Sequence, residues 1–402
     1  MSGVRPDPAP GFWRDLLAAF ATFWRGALGD VGVVTMLFGA PLLYAFFYPL
    51  PYERQVVEQV PIAIVDQDRS PLSQQLIRFA KAHPRLNVRE VMPDPGSAQD
   101  RLWRNEVAGV MIIPSGLARD VLASRPVVVT LAGDGGYLLL NKVVVGAMTE
   151  VAGTLSAGIE IKRLQAATSS PDQARRQRQP VDVNGVALYN TYEGYGSYVV
   201  PGVAVLIIQQ TLLIGVGMVF GMRAERGDPP LVPSAGGWFG AWLAVALVPL
   251  LTCSFYFGFV MWLQDYPRGG NAGGLALFTV VFAFTLAATA LMLGLLFRSR
   301  ERSALLLIGL SMPMLFVSGF SWPVEAMPES LQVLRWLLPS TPGIQGMVAL
   351  NQLGATVGEV LPELLTLLAQ MAVYGAIAAW QWQGDQHLAR PAGERAPGSS
   401  PG

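Results

Sequence analysis

Gln209, Gln210 and Thr211 are three adjacent side chains with hydrogen bonds to make, set in the middle of Tyr198–Gly221, a run of 24 residues without a charge. At about 1.5 Å per residue such a run is long enough to cross a hydrocarbon core of roughly 30 Å. Lipid offers these groups no partner, so their face must meet protein or a water-filled path. Three roles fit: amides that donate and accept along a substrate pathway, amides at a dimer seam between two such chains, or plain glue between helices of one bundle. Neighbouring helical positions point about 100° apart, which predicts that the two glutamines do not share one lumen. No acidic or basic residue lies deep in any apolar run, so a proton relay or a charged-substrate site at the midplane is unsupported.

Elsewhere the chemistry is sparse. Asp66, Asp68 and Asp134 could ligate a metal, but aspartates at strand ends before helices are also ordinary capping and turn residues. The single cysteine, Cys253, excludes an intramolecular disulfide and a thiolate cluster, and the two histidines, His83 and His387, are far apart. No lysine follows a glycine, so there is no GxxxxGK[ST] phosphate loop, and neither GxSxG nor HExxH occurs. No catalytic residue, metal site or bound cofactor is therefore assigned to this chain. The formal net charge is zero, which argues against nucleic-acid binding. Arg175, Arg176 and Arg178 read as a solvated linker or as a contact for an acidic partner or lipid headgroups.

The elements that carry these residues follow from hydropathy. With 52% hydrophobic and 14% charged residues, against about 25% charged in a soluble domain, the chain reads as an integral membrane protein. Residues 1–30 form a polar lead and an amphipathic helix, Gly11–Ala27, that either lies in the headgroup layer or packs on a partner. A first span covers 31–51, with Pro41 predicting a kink. Residues 52–197 alternate between strand and helix periods. Strands are expected near Val60–Val65, Leu86–Val91, Ala108–Ile113 and Pro126–Leu131, helices from Pro71 to Ala82, Ser97 to Asn105 and Tyr137 to Gln165, and parallel pairing across the crossovers. A linker, Ala166–Gln179, and a turn at Asn184-Gly185 return the chain to the bilayer. Residues 198–382 hold five more spans: Tyr198–Gly221, Trp238–Leu263, Leu275–Phe297, the short Ala304–Gly319 and Leu364–Trp382. The tail 383–402 reads as disordered.

Tyr44, Tyr48 and Tyr52 at the end of the first span, and Tyr189, Tyr192, Tyr195 and Tyr198 before the second, mark one membrane interface. Ten arginines in the segments of one side stand against Arg268 and Arg335 on the other. That bias places both termini in the cytoplasm and residues 52–197 outside. The fold class is an α-helical polytopic membrane protein with six transmembrane helices and an α/β extracytoplasmic domain inserted between spans one and two.

That layout resembles an ABC-2 type transporter permease, a bacterial multidrug or small-molecule exporter subunit of the cytoplasmic (inner) membrane. Three stretches carry the likeness: Gly194–Gly221, Ser318–Pro328 (SGFSWPVEAMP) and Leu338–Gly346 (LPSTPGIQG). The resemblance implies a separate cytoplasmic ABC ATPase subunit that holds ATP and Mg, a second permease, either a copy or a sibling, and outward movement of cargo. It places the ATPase coupling element after span two, where Arg223, Glu225 and Arg226 lead an E-R-G match, although Pro229, Pro230 and Pro233 resist the helix usual there. It makes about 318–346 an external re-entrant region, with Gly319, Trp322, Pro323, Met327 and Pro328 as a broken gate; a plain surface loop is the other reading. A periplasmic adaptor would account for the large external domain, and the uncharged spans lean towards lipid-like or amphipathic cargo. The rival reading is a membrane-anchored receptor or sensor whose external domain binds a ligand without transport, but the cytoplasmic loops are too short for a signalling domain.

Overall fold

The structure is a computed structural model that describes residues 11–168, 190, 194–228, 231–232, 234–297 and 299–389. The expected linker 169–179, the Asn184-Gly185 turn, Tyr189, Tyr192, Pro229, Pro230, Pro233 and the tail beyond Ala389 lie outside these residues. The chain divides into two compact units, Arg54–Val186 and the remainder.

In the larger unit, helix α1 (Phe12–Leu28) buries Ala19, Phe23 and Ala27. Helix α2 (Val31–Tyr52) starts at Asp30, whose Oδ1 accepts the Val33 N–H at 3.0 Å, a side-chain cap that satisfies an otherwise free donor. The break expected at Pro41 is a π-turn over Thr35–Gly39, just ahead of the proline.

The smaller unit is built on β1 (Val60–Asp66), α3 (Pro71–Ala82), β2 (Leu86–Met92), α4 (Pro95–Trp103), β3 (Gly109–Ile113), α5 (Leu117–Leu122), β4 (Thr130–Gly133) and α6 (Leu138–Thr168). Ser70 caps α3 with Pro71 at its first position, as the sequence predicts. The strand order is β2-β1-β3-β4, so β1 is central, and it is apolar on both faces. Ile62 and Ile64 pack with Leu76, Ile77, Val144 and Met148 on one side, while Ala63 and Val65 pack with Ala98 and Val110 on the other. β1 runs parallel to β2 and β3, but β4 is antiparallel to β3, which corrects the expectation of parallel pairing throughout. β4 is an edge strand, and one antiparallel edge strand on an otherwise parallel sheet is a common arrangement. β4 also falls later than Pro126–Leu131.

The larger unit resumes with α7 (Tyr195–Arg226), α8 (Ala235–Leu263), α9 (Ala272–Phe297), α10 (Arg300–Val317), α11 (Glu329–Leu334), α12 (Ser340–Asn351) and α13 (Leu361–Ala389). α7 is its axis, buried almost throughout and packed against α2, α8, α9, α10 and α12. α8 carries Pro249 and, one turn later, a π-turn at Ser254–Val260. α13 continues to Ala389, so Gln383–Ala389 are helical and not part of a disordered tail.

Among the described residues six helices are long and apolar enough to cross a membrane: Val31–Tyr52, Leu138–Gln165, Tyr195–Arg226, Ala235–Leu263, Ala272–Phe297 and Leu361–Gln383. This set differs from the expected spans in two places. α6 qualifies by composition, yet Val144, Ala147, Met148 and Val151 form a stripe buried against the sheet. α10 falls short because Arg300, Glu301 and Arg302 stand at the head of its 18 residues.

Candidate functional site

The amides singled out in the sequence lie on α7 where it faces α10. Gln209 is fully buried. Its Nε2 points at the Met314 sulfur from 3.8 Å, and that of Gln210 donates to the same sulfur at 3.1 Å. Thioether sulfur is a weak acceptor, and the Oε1 atoms of both glutamines are buried with no hydrogen-bond partner among the described residues. The 100° between them does not send them to different neighbours, because the flexible Met314 side chain inserts between both. Thr211 behaves otherwise: its hydroxyl donates back to the Ile207 carbonyl at 2.8 Å and is satisfied on its own helix.

At the α7 C-terminus the structure assembles a site that the sequence showed only in part. Arg300, at the start of α10, donates from both terminal nitrogens to both Asp30 oxygens at 2.9 Å, a bidentate pair. Glu225 Oε1 accepts the Arg300 backbone N–H at 2.9 Å and the Ser299 hydroxyl at 3.1 Å, so it caps α10. Three helix ends are tied at one point: α2 by Asp30, α7 by Glu225 and α10 by Arg300. Burial pushes the Asp30 carboxyl up, but the Val33 N–H and the Arg300 guanidinium more than offset it and hold the group below its ordinary value. Gly221 permits the approach, since a Cβ there would run into the Arg300 and Ser299 backbone. Arg223 sits 3.9 Å from Asp228, a long ion pair at the helix end, and Arg226 is exposed. Asp30 and Arg300 had no local signal beyond an aspartate before an apolar run and an arginine after one.

The opposite end of α7 meets the suspected gate. Tyr198 stacks on Phe320 with centroids 5.2 Å apart, and its hydroxyl donates to the Phe320 carbonyl at 2.9 Å. Tilted ring contacts continue from Tyr198 through Tyr195 and Tyr52 to Tyr48, at centroid separations of 6.4, 5.5 and 5.7 Å. Phe320 fits because Gly202 leaves its ring room. Of the expected gate residues, Gly319 has φ +81, a left-handed turn that favours glycine. Met327 is buried and its carbonyl accepts from Gln332 Nε2 at 2.9 Å. Pro323 and Pro328 precede single short helical turns, and Trp322 is 56% exposed. The region beyond is clamped by α13: Gln370 donates to the Trp336 carbonyl and Tyr374 to that of Leu337, each at 2.7 Å. α12, whose 12 residues cover about 18 Å, less than a bilayer core of about 30 Å, then packs against α9, with Gly343 and Gly346 under Phe282 and Phe278.

The three suspected aspartates act as caps. Asp66 accepts from the Asp68 and Arg69 amides and from Ser73, Asp68 accepts from the Ala118 amide, and Asp134 from that of Gly136. Their lone pairs serve the βα turns.

A helical unit packed around one buried axial helix, with five of the six described helices that are long and apolar enough to cross a bilayer, is the architecture of a polytopic membrane protein. The family of ABC-2 family transporter proteins matches residues 32–380, and the chain belongs to it. Relatives include the linearmycin resistance permease protein LnrN of Bacillus subtilis, 23% identical over 372 residues, covering 84% of this chain and 91% of that one. The probable multidrug ABC transporter permease YbhR of Escherichia coli is 23% identical over 313 residues, 74% of this chain and 79% of its own. The inner membrane transport permease YhhJ of Escherichia coli is 32% identical over 109 residues, 26% of this chain and 29% of its own. The protein is thus a membrane permease of an ABC transporter, integral to the inner membrane, and works with a separate ATPase subunit.

Proposed function

We propose that the chain is an export permease that moves a small, hydrophobic or amphipathic molecule, such as a drug or lipid-like compound, out of the cytoplasm. The carrying observation is the pair Gln209 and Gln210, whose carbonyl oxygens are buried without donors beside α10. A passing molecule that donates hydrogen bonds, or water in an open path, supplies what the resting helix pair lacks. Linearmycin resistance and multidrug transport in the names of two relatives support a cargo of this class.

The second permease, a copy or a sibling, sits against α10. That helix packs mainly on α7 and turns Leu305, Met312 and Phe316, each more than half exposed, away from it. The ATPase, holding ATP and Mg, docks where Arg223, Glu225 and Arg226 end α7. Its stroke reaches α2 and α10 through the Asp30–Arg300–Glu225 junction. The arginine distribution supports cytoplasmic termini, an α/β unit outside the membrane and an external gate around Gly319, Trp322, Pro323, Met327 and Pro328. An adaptor that contacts the α/β unit would carry cargo onward.

The test is reconstitution with the candidate ATPase in lipid vesicles, followed by ATP-dependent flux of an amphipathic dye. Association and outward flux are expected, and Gln210→Leu should reduce flux while ATPase binding persists. Absence of any associated ATPase, or ATP-driven uptake into the cytoplasmic side, overturns the proposal. A receptor would bind ligand outside and show no flux.

A further inference from the structure

A groove of about 760 Å³ lies between α8 and α9, walled by Leu250, Phe257, Leu275 and Val280. This is the volume of a small-molecule site, for which about 300–1,000 Å³ is usual. Its shape comes from α8, where Pro249 and the π-turn over Ser254–Val260 widen the helix on the groove side. Small residues form its floor, and a Cβ on Gly258 would meet nothing within 4 Å. The segments 250–258 and 272–280 each run about 12 Å, close to one leaflet's share, about 15 Å, of the hydrocarbon core. Leu251 and Leu277, next in the chain to the lining residues Leu250 and Ala276, are about half exposed, which is how a groove reached sideways from lipid would be bordered.

At the end of the groove, where the loop joins α8 to α9, stand Arg268 and Asn271. Asn271 is committed, donating to the Ala355 carbonyl at 2.6 Å and accepting from the Gly274 amide at 2.9 Å. Arg268 is exposed and has no hydrogen bond or ion pair among the described residues. An apolar slot one leaflet deep with an unengaged guanidinium at its mouth matches an acyl chain below a phosphate in both geometry and charge. We propose that this groove holds one anionic phospholipid of the surrounding membrane, its phosphate on Arg268 and one acyl chain along Phe257, Gly258 and Leu275. The site does not depend on the direction of transport; the orientation proposed above, which puts the Arg268 loop outside, would place it in the outer leaflet.

The test is native mass spectrometry of the full-length protein in mild detergent, titrated with phosphatidylglycerol or phosphatidylcholine. One phosphatidylglycerol per chain is expected to bind in preference to phosphatidylcholine. A cation near anionic lipid contributes about 1 kcal/mol, or about fivefold, so Arg268→Gln should weaken phosphatidylglycerol by about that factor and phosphatidylcholine by less, because the choline cation offsets the charge on the same phosphate. Gly258→Leu fills the slot and should lower retention of both; Ala276→Leu does the same from the other wall should the first variant fold poorly. Equal phosphatidylglycerol affinity in wild type and Arg268→Gln overturns the proposal. So does undiminished lipid in both filled variants, displacement by glycerol phosphate alone, or loss of dimer in place of lipid, which would make the groove a seam between copies.

Discussion

The two ends of α7 are fastened to α10 and its continuation by opposite chemistry. At the Tyr198 end the contact is a stacked aromatic pair and one neutral hydrogen bond. At the Gly221 end it is backbone pressed on backbone and closed by a bidentate ion pair to a third helix. Aromatic faces slide over one another at little cost, whereas a forked guanidinium–carboxylate pair is held in direction and distance. If the ATPase docks at the Gly221 end as proposed, that end would transmit a push and the Tyr198 end would yield to one. Between them Gln209 and Gln210 reach a single soft sulfur, the weakest polar contact along the interface.

The comparison can be broken most severely at Gly221. Gly221→Leu has no room against the Arg300 backbone and should destabilise the protein by about 3 kcal/mol, the upper part of the overpacking range. Thermal denaturation in detergent would report it, and a wild-type midpoint would show that the close approach is not maintained. Next comes the ion pair. A double-mutant cycle with Asp30→Asn and Arg300→Met should give a coupling of about 1–2 kcal/mol, between exposed and buried pairs because Arg300 is partly solvated.

The same pair predicts a pH dependence. The Asp30 carboxyl is depressed in the fold, so its contribution is complete above the ordinary carboxylate value of about 4 and is lost as pH falls through the lower folded value. Denaturation midpoints of wild type and Asp30→Asn should therefore converge on acidification below about pH 4 and stay apart at neutral pH.

At the other end Tyr198→Phe should cost only about 1 kcal/mol, for one neutral hydrogen bond, with Tyr198→Leu adding a similar amount for the lost stack. If charge fastens one end for transmission and stacking leaves the other free, Arg300→Met should uncouple ATP hydrolysis from flux while Tyr198→Phe alters flux alone. The smallest effect on stability is expected in the middle. Gln210→Leu should change it by less than about 1 kcal/mol, because the amide donates only to sulfur and its carbonyl has no partner to lose. A loss of several kcal/mol in that variant would make the amide a structural joint and not a lining of the path.

Much of the architecture was legible because it depends on local quantities. A run of 24 uncharged residues is a span whatever surrounds it, and Ser70-Pro71 starts a helix by its own hydrogen bond and fixed φ. Tyr198 was readable as an interface residue, but its partner Phe320 was not, since nothing near either residue specifies the other. The direction of β4 was misread because a strand's residues do not encode which neighbour it pairs with or in which sense. α6 shows the limit of composition alone: a helix apolar enough to span a bilayer spends that apolarity on a sheet.

By itself the sequence determined that this chain lives in a membrane, where its apolar runs lie, that it lacks a phosphate loop, and that two amides sit in the middle of one run. These follow from hydration and backbone geometry, which act residue by residue. Only the tertiary structure decided that Asp30 meets Arg300 across 270 positions of chain, and that both glutamines meet one methionine. Such contacts depend on which helices pack side by side and in what register. That is set by where small residues let a neighbour come close, Gly221 a second backbone and Gly202 the Phe320 ring, and it becomes visible only once both partners are in place.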